Sequence, residues 1–189
     1  MKLSKDFREI KGDASFRKFY RNTKKNSIIV LENREKIKNL LIYDSINKIL
    51  IKNNIIAPKL LSQNYKENYI EIQDLGKKTI YQIFSRNKKN QFLIFKKVIN
   101  ILNKIQLVKE KKIKNFRNKS YLIKDYKSKI LIDEAKLFTQ LYVPKKLNKK
   151  KINKFNSKFD KEIKLVLSKL NFKNNTFVHR DFHVSNLII

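Results

Sequence analysis

Both histidines of this 189-residue chain lie within one five-residue stretch, "HRDFH", close to its end. His179 and His183 flank Asp181 there, and Asn186 follows in the same loop. An aspartate can accept the proton of an attacking hydroxyl, and an asparagine oxygen can coordinate a magnesium ion that carries nucleotide phosphates. Phosphoryl transfer needs positioning and charge neutralisation more than covalent chemistry, so a few side chains suffice. We therefore predict a phosphoryl-transfer site, with Asp181 as the base and Asn186 on magnesium.

Two other interpretations of the same stretch remain open. The first is a polar loop after a core strand, in which His179 makes a structural hydrogen bond. The second is a zinc site, because His179 and His183 are four residues apart. Zinc chemistry is disfavoured because the stretch lacks an H-E-x-x-H pattern and the chain has no cysteine. A predicted strand before the loop and the apolar "LII" after it favour the phosphoryl-transfer site.

A second candidate motif begins at Gly12, one of only two glycines in the chain. The small residues Gly12, Asp13, Ala14 and Ser15 predict a turn between strand segments, and backbone N–H groups in such a turn can approach phosphate oxygens. The Ser15 hydroxyl and a positive charge from Arg17 or Arg21 would add to that binding. An ordinary hairpin turn uses the same residue types, and a Walker motif is absent.

The third candidate motif is "YIEIQDLG", residues 69–76. A strand that ends at a junction between lobes would expose backbone N–H and C=O groups, which can pair with the edge of adenine. Ile70 or Ile72, together with Leu75, would supply apolar walls. The alternative is an ordinary edge strand before a turn. In either interpretation Gly76 is a flexible joint.

Apolar periodicity changes character near Gly76. Before it, the pattern predicts short strands and one helix over residues 34–53; after it, the pattern predicts mainly helices, around residues 92–105, 131–142 and 152–170. We therefore predict an α+β fold with two lobes, a nucleotide-binding lobe at residues 1–75 and a helical lobe at residues 76–189. A cleft between lobes is a common place for ligands.

Composition limits the partners of the chain. Its formal net charge is +30, but the basic residues are mostly scattered lysines, and Lys, Asn and Ile share A/T-rich codons. We therefore predict no specific nucleic-acid partner, and a basic RNA-binding protein remains an alternative whose signature would be steep salt dependence. The first residues, "MKLSKDFREIKG", lack the apolar stretch of a signal peptide, and no apolar run approaches the length of a membrane span, about 20 residues. We expect a cytoplasmic protein with no membrane span.

The three motifs occur in the order seen in one family of kinases. "VHRDFHVSNLI" resembles the catalytic loop of the aminoglycoside phosphotransferase/choline kinase family, whose fold is that of protein kinases. "GDASFRKFYR", "IAPKLL", "IQDLG" and residues 125–138 extend the resemblance to bacterial N-acetylmuramate/N-acetylglucosamine kinases, which phosphorylate cell-wall amino sugars at the anomeric hydroxyl. The resemblance implies a protein-kinase-like two-lobe fold, ATP and Mg²⁺ as cofactors, an amino sugar as acceptor, and a role in cell-wall recycling.

The resemblance also implies a role for each matching residue. Asp181 is the catalytic base, Asn186 is a magnesium ligand, and His183 lies close to the transferring phosphate or to the substrate. The residues implied to lie over the ATP phosphates are Gly12, Asp13, Ala14, Ser15, Phe16 and Arg17. The residues implied to hold adenine are Glu71, Ile72 and Gln73, with the rest of the hinge up to Leu75.

Two features depart from the family pattern. The strand "SIIVLE" carries no lysine where protein kinases place the one that grips the phosphates, and Arg17, Arg21 or Lys24 are candidate substitutes. In the family, a further strand and a magnesium-binding aspartate follow the catalytic loop, whereas this sequence ends at Ile189. We therefore expect the 189-residue piece to be a fragment of a longer kinase that binds nucleotide weakly and turns over little. A catalytically inactive nucleotide-binding relative is the main alternative.

Overall fold

A computed structural model describes residues 4–10, 17–86, 91–170 and 176–188. The fold is α+β, with a five-stranded antiparallel sheet in the N-terminal part and mainly helices after it. This confirms the predicted α+β class and the predicted change from strands to helices, whereas the protein-kinase-like two-lobe fold stays a prediction. The described residues group into two compact units, Met1–Ile123 with His179–Ile189, and Lys124–Val178. The lobe boundary expected after residue 75 stays a prediction.

The sheet of the first unit has the strand order β1-β2-β3-β5-β4, and all neighbouring strands are antiparallel. Its strands are β1 (Phe7–Ile10), β2 (Lys18–Asn22), β3 (Ser27–Leu31), β4 (Leu60–Asn64) and β5 (Tyr69–Gln73). The sequence pattern predicted the last four and missed β1. Helix α1 (Lys38–Lys52) lies between β3 and β4 in the chain.

The core of the first unit lies between the sheet and α1. Side chains alternate between the two faces of a strand, so Ile28 and Val30 of β3 share a face with the neighbouring Ile70 and Ile72 of β5. These four residues form one buried cluster with Leu40 of α1. The sheet is therefore anchored to the helix through the two strands at its centre.

Asparagine sets the end of α1. Asn54 has a left-handed φ of 57°, the conformation that commonly ends helices and that asparagine tolerates. The N–H groups of Asn54 and Ile55 then donate to the carbonyls of Ile51 and Leu50 at 3.0 and 2.9 Å. These two hydrogen bonds satisfy carbonyl groups that the helix end would otherwise leave without a donor. The predicted helix over residues 34–53 is confirmed, with a 3₁₀ turn at Arg34–Lys36 before α1.

The rest of the first unit contains two helices and a hairpin. They are α2 (Ile80–Arg86), α3 (Gln91–Gln106), β6 (Lys112–Lys114) and β7 (Ser120–Leu122). The sequence predicted α3 but neither α2 nor the hairpin. Asp44 of α1 is buried and accepts the Phe116 N–H at 2.8 Å, which ties the hairpin turn to the helix.

The second unit is helical. It contains α4 (Ser128–Leu137), a π-helical turn at Phe138–Tyr142, a 3₁₀ turn at Val143–Lys145, and α5 (Lys149–Lys169). Phe138 contacts both Phe155 and Phe159 of α5, with ring centroids 6.3 and 5.9 Å apart. Both helices were predicted from their apolar spacing. None of the helices in the described residues is long and apolar enough to cross a membrane.

Candidate active site

The loop formed by residues 179–188 is attached to the start of α2. Ile80 donates its N–H to the Leu187 carbonyl at 2.9 Å, and Tyr81 donates to the Val184 carbonyl at 3.1 Å. Thr79 and Ile188 form an isolated antiparallel bridge. The loop carbonyls therefore satisfy N–H groups that the first turn of a helix would leave without a partner. A strand was predicted before this loop, but the described residues 176–180 form none.

Asp181, His183 and Asn186 lie together inside the loop. The Asn186 side-chain nitrogen donates to Asp181 Oδ2 at 2.7 Å and to the Asp181 carbonyl at 3.1 Å. His183 Nε2 lies 3.2 Å from Asp181 Oδ1. The Asp181 side chain is still 72% exposed, so a substrate can reach it. The arrangement holds the carboxylate in place while leaving it open to solvent.

The residue before Asp181 gives the loop its sharp turn. Arg180 has a φ of 69°, in the left-handed region that residues other than glycine seldom adopt. Backbone strain of this kind is frequent at functional sites, where the surrounding structure holds it. The backbone conformation of Arg180 is therefore of the kind found in functional loops.

His179 differs from His183 in its environment. Burial lowers the pKa of His179, the nearby Asp181 raises it, and His183 lowers it further, with burial the largest effect. The His179 ring also packs edge-on against Phe182, with centroids 6.0 Å apart. The pKa of His179 is therefore lowered overall, which favours its neutral form.

The chemistry of the loop side chains fits magnesium. Mg²⁺ takes oxygen ligands and usually binds one or two carboxylates together with substrate phosphates. Asp181 and Asn186 both carry side-chain oxygens on an exposed loop. Zinc fits less well, since no group of three or more His, Cys, Asp or Glu residues within the described ranges could hold a metal ion.

Of the residues predicted to lie over the ATP phosphates, the structure describes only Arg17. Gly12, Asp13, Ala14, Ser15 and Phe16 lie outside the described residues. The Arg17 guanidinium lies over the ring of Tyr43 in α1, 5.4 Å from its centroid. The pKa of Tyr43 is raised overall, because the effect of burial exceeds the lowering by a hydrogen bond from Asn47 and by the charge of Arg17.

The residues predicted to hold adenine lie in the sheet interior. Glu71 and Ile72 pair with β3 on one side and with β4 on the other, so β5 is not the edge strand that one interpretation assumed. Glu71 accepts hydrogen bonds from the hydroxyls of Ser27 and Ser62 at 2.6 and 3.0 Å. Gln73 donates its N–H to a carbonyl outside β5, that of Lys59, at 2.8 Å. Their role toward adenine stays a prediction.

The candidate substitutes for the missing lysine have protein partners. Lys24 Nζ lies 2.9 Å from Asp6 Oδ1 on the surface. Arg21 binds the buried carboxylate of Asp74 through Nε and Nη2, and its Nη2 also donates to the Gly76 carbonyl at 2.6 Å. Sequence reasoning missed this pair. The available signal was Asp74 itself, because a carboxylate at the end of a buried strand needs a cationic partner.

Comparisons with known proteins give no relative. No family model matches the chain, and neither the curated proteins nor the solved structures contain a match. The family resemblance therefore depends on the motifs alone, and the candidate site depends on the geometry of residues 179–188.

Proposed function

We propose that this protein is an ATP-dependent phosphotransferase that moves the γ-phosphate to a hydroxyl of a small molecule. The observation that carries the proposal is the loop in which Asn186 and His183 hold an exposed Asp181 carboxylate. A general base must be fixed in position and still be accessible to the hydroxyl that it deprotonates. The loop meets both requirements.

The proposed reaction begins at the acceptor hydroxyl. Its proton passes to the Asp181 carboxylate as its oxygen forms a bond to the γ-phosphorus, and the bond from that phosphorus to the bridging oxygen breaks to release ADP. Magnesium, when bound, neutralises charge on the phosphates. Asn186 has two roles in this proposal: its side-chain nitrogen fixes Asp181, and its oxygen is the candidate magnesium ligand.

The acceptor class follows from the motif resemblance. We propose an amino sugar, with N-acetylglucosamine and N-acetylmuramate as the first compounds to test. A cytoplasmic role in cell-wall recycling belongs to the same proposal.

The test is phosphoryl transfer by the protein produced from its complete reading frame. Asp181→Asn should lower kcat by about a hundredfold to ten-thousandfold, the usual contribution of a general base, while ATP binding is retained. Asp160→Asn is the matched control, because Asp160 is a partly exposed aspartate on α5, outside the stretches that resemble the kinase family. Full activity of Asp181→Asn would remove Asp181 as the base. ATP binding without turnover in the unaltered protein would favour an inactive nucleotide-binding relative.

A further inference from the structure

Arg21 and Asp74 form a largely buried ion pair that links two distant parts of the first unit. Arg21 lies on β2, and Asp74 directly follows β5. The guanidinium binds the carboxylate in a bidentate manner, through Nε to Oδ2 and through Nη2 to Oδ1 at 3.1 Å. The two side chains are only 20% and 8% exposed. Such forked pairs fix geometry as well as charge.

The same guanidinium also holds the segment after Asp74. Arg21 Nη2 donates to the Gly76 carbonyl, and the Gly76 N–H donates to Asp74 Oδ1 at 2.8 Å. Gly76 has a φ of +121°, a conformation that glycine adopts readily and other residues avoid. Arg21, Asp74 and Gly76, here called the clamp, therefore define the path of the chain as it leaves the sheet.

The clamp is continuous with the candidate catalytic loop. A Cβ at Gly76 would lie 3.5 Å from the Ile188 side chain, so the two residues are close neighbours. Three residues after Gly76, Thr79 bridges to Ile188, and the N–H groups of Ile80 and Tyr81 bind loop carbonyls. Displacing the segment at Gly76 would therefore disturb the attachment of the loop.

We propose that Arg21 is a positioning residue, which fixes the loop of residues 179–188 relative to the sheet through Asp74 and Gly76. Its guanidinium donates to three acceptors in a fixed planar arrangement, which a lysine ammonium cannot reproduce. Without Arg21, the buried Asp74 carboxylate would have to reach water or another cation, and the Gly76 segment would move with it. The consequence for catalysis rests on the proposed phosphoryl transfer, whereas the structural link does not.

Hydrogen exchange measured by NMR tests the link without any need for activity. In Arg21→Met and Asp74→Asn, the amides of Ile80 and Tyr81 should exchange about tenfold faster or more, since hydrogen bonds to charged groups contribute at least that factor. The amides of β3 should keep their protection. Arg21→Lys should give an intermediate effect, and it keeps the proposal testable if Arg21→Met does not fold.

The matched control is Arg34→Met. Arg34 is exposed in the 3₁₀ turn before α1, away from β2 and from Gly76, so its removal changes the charge by the same amount without touching the clamp. Unchanged exchange at Ile80 and Tyr81 in the clamp variants would overturn the proposal. The proposal would also be overturned if the amides of β3 lost as much protection as those of Ile80 and Tyr81, because that result would indicate a general loss of stability.

An activity measurement adds the catalytic consequence. In the protein from the complete reading frame, Arg21→Lys should lower kcat by about tenfold, a factor that small misplacements of catalytic groups readily cause, with little change in KM for the acceptor. An unchanged kcat would refute the catalytic role of Arg21. If the unaltered protein transfers no phosphate, the proposed function fails, and the exchange result still decides whether the clamp positions the loop.

Discussion

Replacing Asp44 by alanine should destabilise the first unit through one identifiable group. The Asp44 side chain is 1% exposed, accepts the Phe116 N–H at 2.8 Å, and lies 2.9 Å from Lys48 Nζ. Alanine offers no acceptor, so the Phe116 N–H loses its partner. The hairpin turn that Phe116 belongs to would also lose its tie to α1.

The magnitude follows from two contributions. An unsatisfied buried N–H group reduces stability by about 1–3 kcal/mol. Lys48 is 38% exposed, so solvent screens its ion pair with Asp44, which contributes only about 0.3–0.5 kcal/mol. The free energy of unfolding should therefore fall by about 1.3–3.5 kcal/mol in Asp44→Ala.

Asp44→Asn separates the two contributions. The asparagine carbonyl oxygen can still accept the Phe116 N–H, so this variant should lose less than about 1 kcal/mol. Urea unfolding of both variants at constant m-value gives the comparison. The reasoning is refuted if Asp44→Ala and Asp44→Asn are equally stable, or if Asp44→Ala loses less than about 0.5 kcal/mol.

Two further predictions concern the loop and its attachment. Because burial lowers the pKa of His179, the unfolded chain binds the proton more tightly, so stability should fall as the pH drops below about 6.5. His179→Gln should remove part of that loss of stability. Urea unfolding of the unaltered protein and of His179→Gln at about pH 7.5 and about pH 5.5 measures the difference, and an identical pH dependence would contradict the prediction. Thr79 Oγ1 accepts the Gln82 backbone N–H at 3.2 Å, and Gln82 Oε1 accepts the Thr79 backbone N–H at 3.2 Å. Thr79→Ala should therefore lower the free energy of unfolding by about 1 kcal/mol, and Thr79→Ser is the control that keeps the hydroxyl. Equal stability of the alanine and serine variants would show that this reciprocal cap contributes nothing.

Local patterns predicted the elements that are long or strongly periodic. The apolar spacing of α1, α3, α4 and α5 is visible in the sequence. The short elements were missed for a physical reason. β1 is only four residues long, and β6 and β7 have three each, so their pattern is too short to exceed chance and they depend on their partners in the sheet.

In the candidate site too, contacts between residues close in sequence could be predicted and contacts between distant residues could not. Asp181, His183 and Asn186 come together because they are close in sequence, so a single loop suffices to assemble them. Arg21 and Asp74 are 53 residues apart, so the sequence around Asp74 indicates a need for a cation but does not indicate that Arg21 supplies it. The position of β5 inside the sheet likewise depends on β4 and β3, which the pattern of β5 alone does not specify.

The most direct test of the proposed function follows the phosphate itself. Phosphorus NMR of the protein from the complete reading frame, incubated with ATP, magnesium and N-acetylglucosamine or N-acetylmuramate, would detect the product. The proposal predicts a new sugar phosphate resonance that grows as the γ-phosphate of ATP disappears and that is absent with Asp181→Asn. A γ-phosphate that stays on ATP, or that appears only as inorganic phosphate at the same rate with Asp181→Asn, would contradict it.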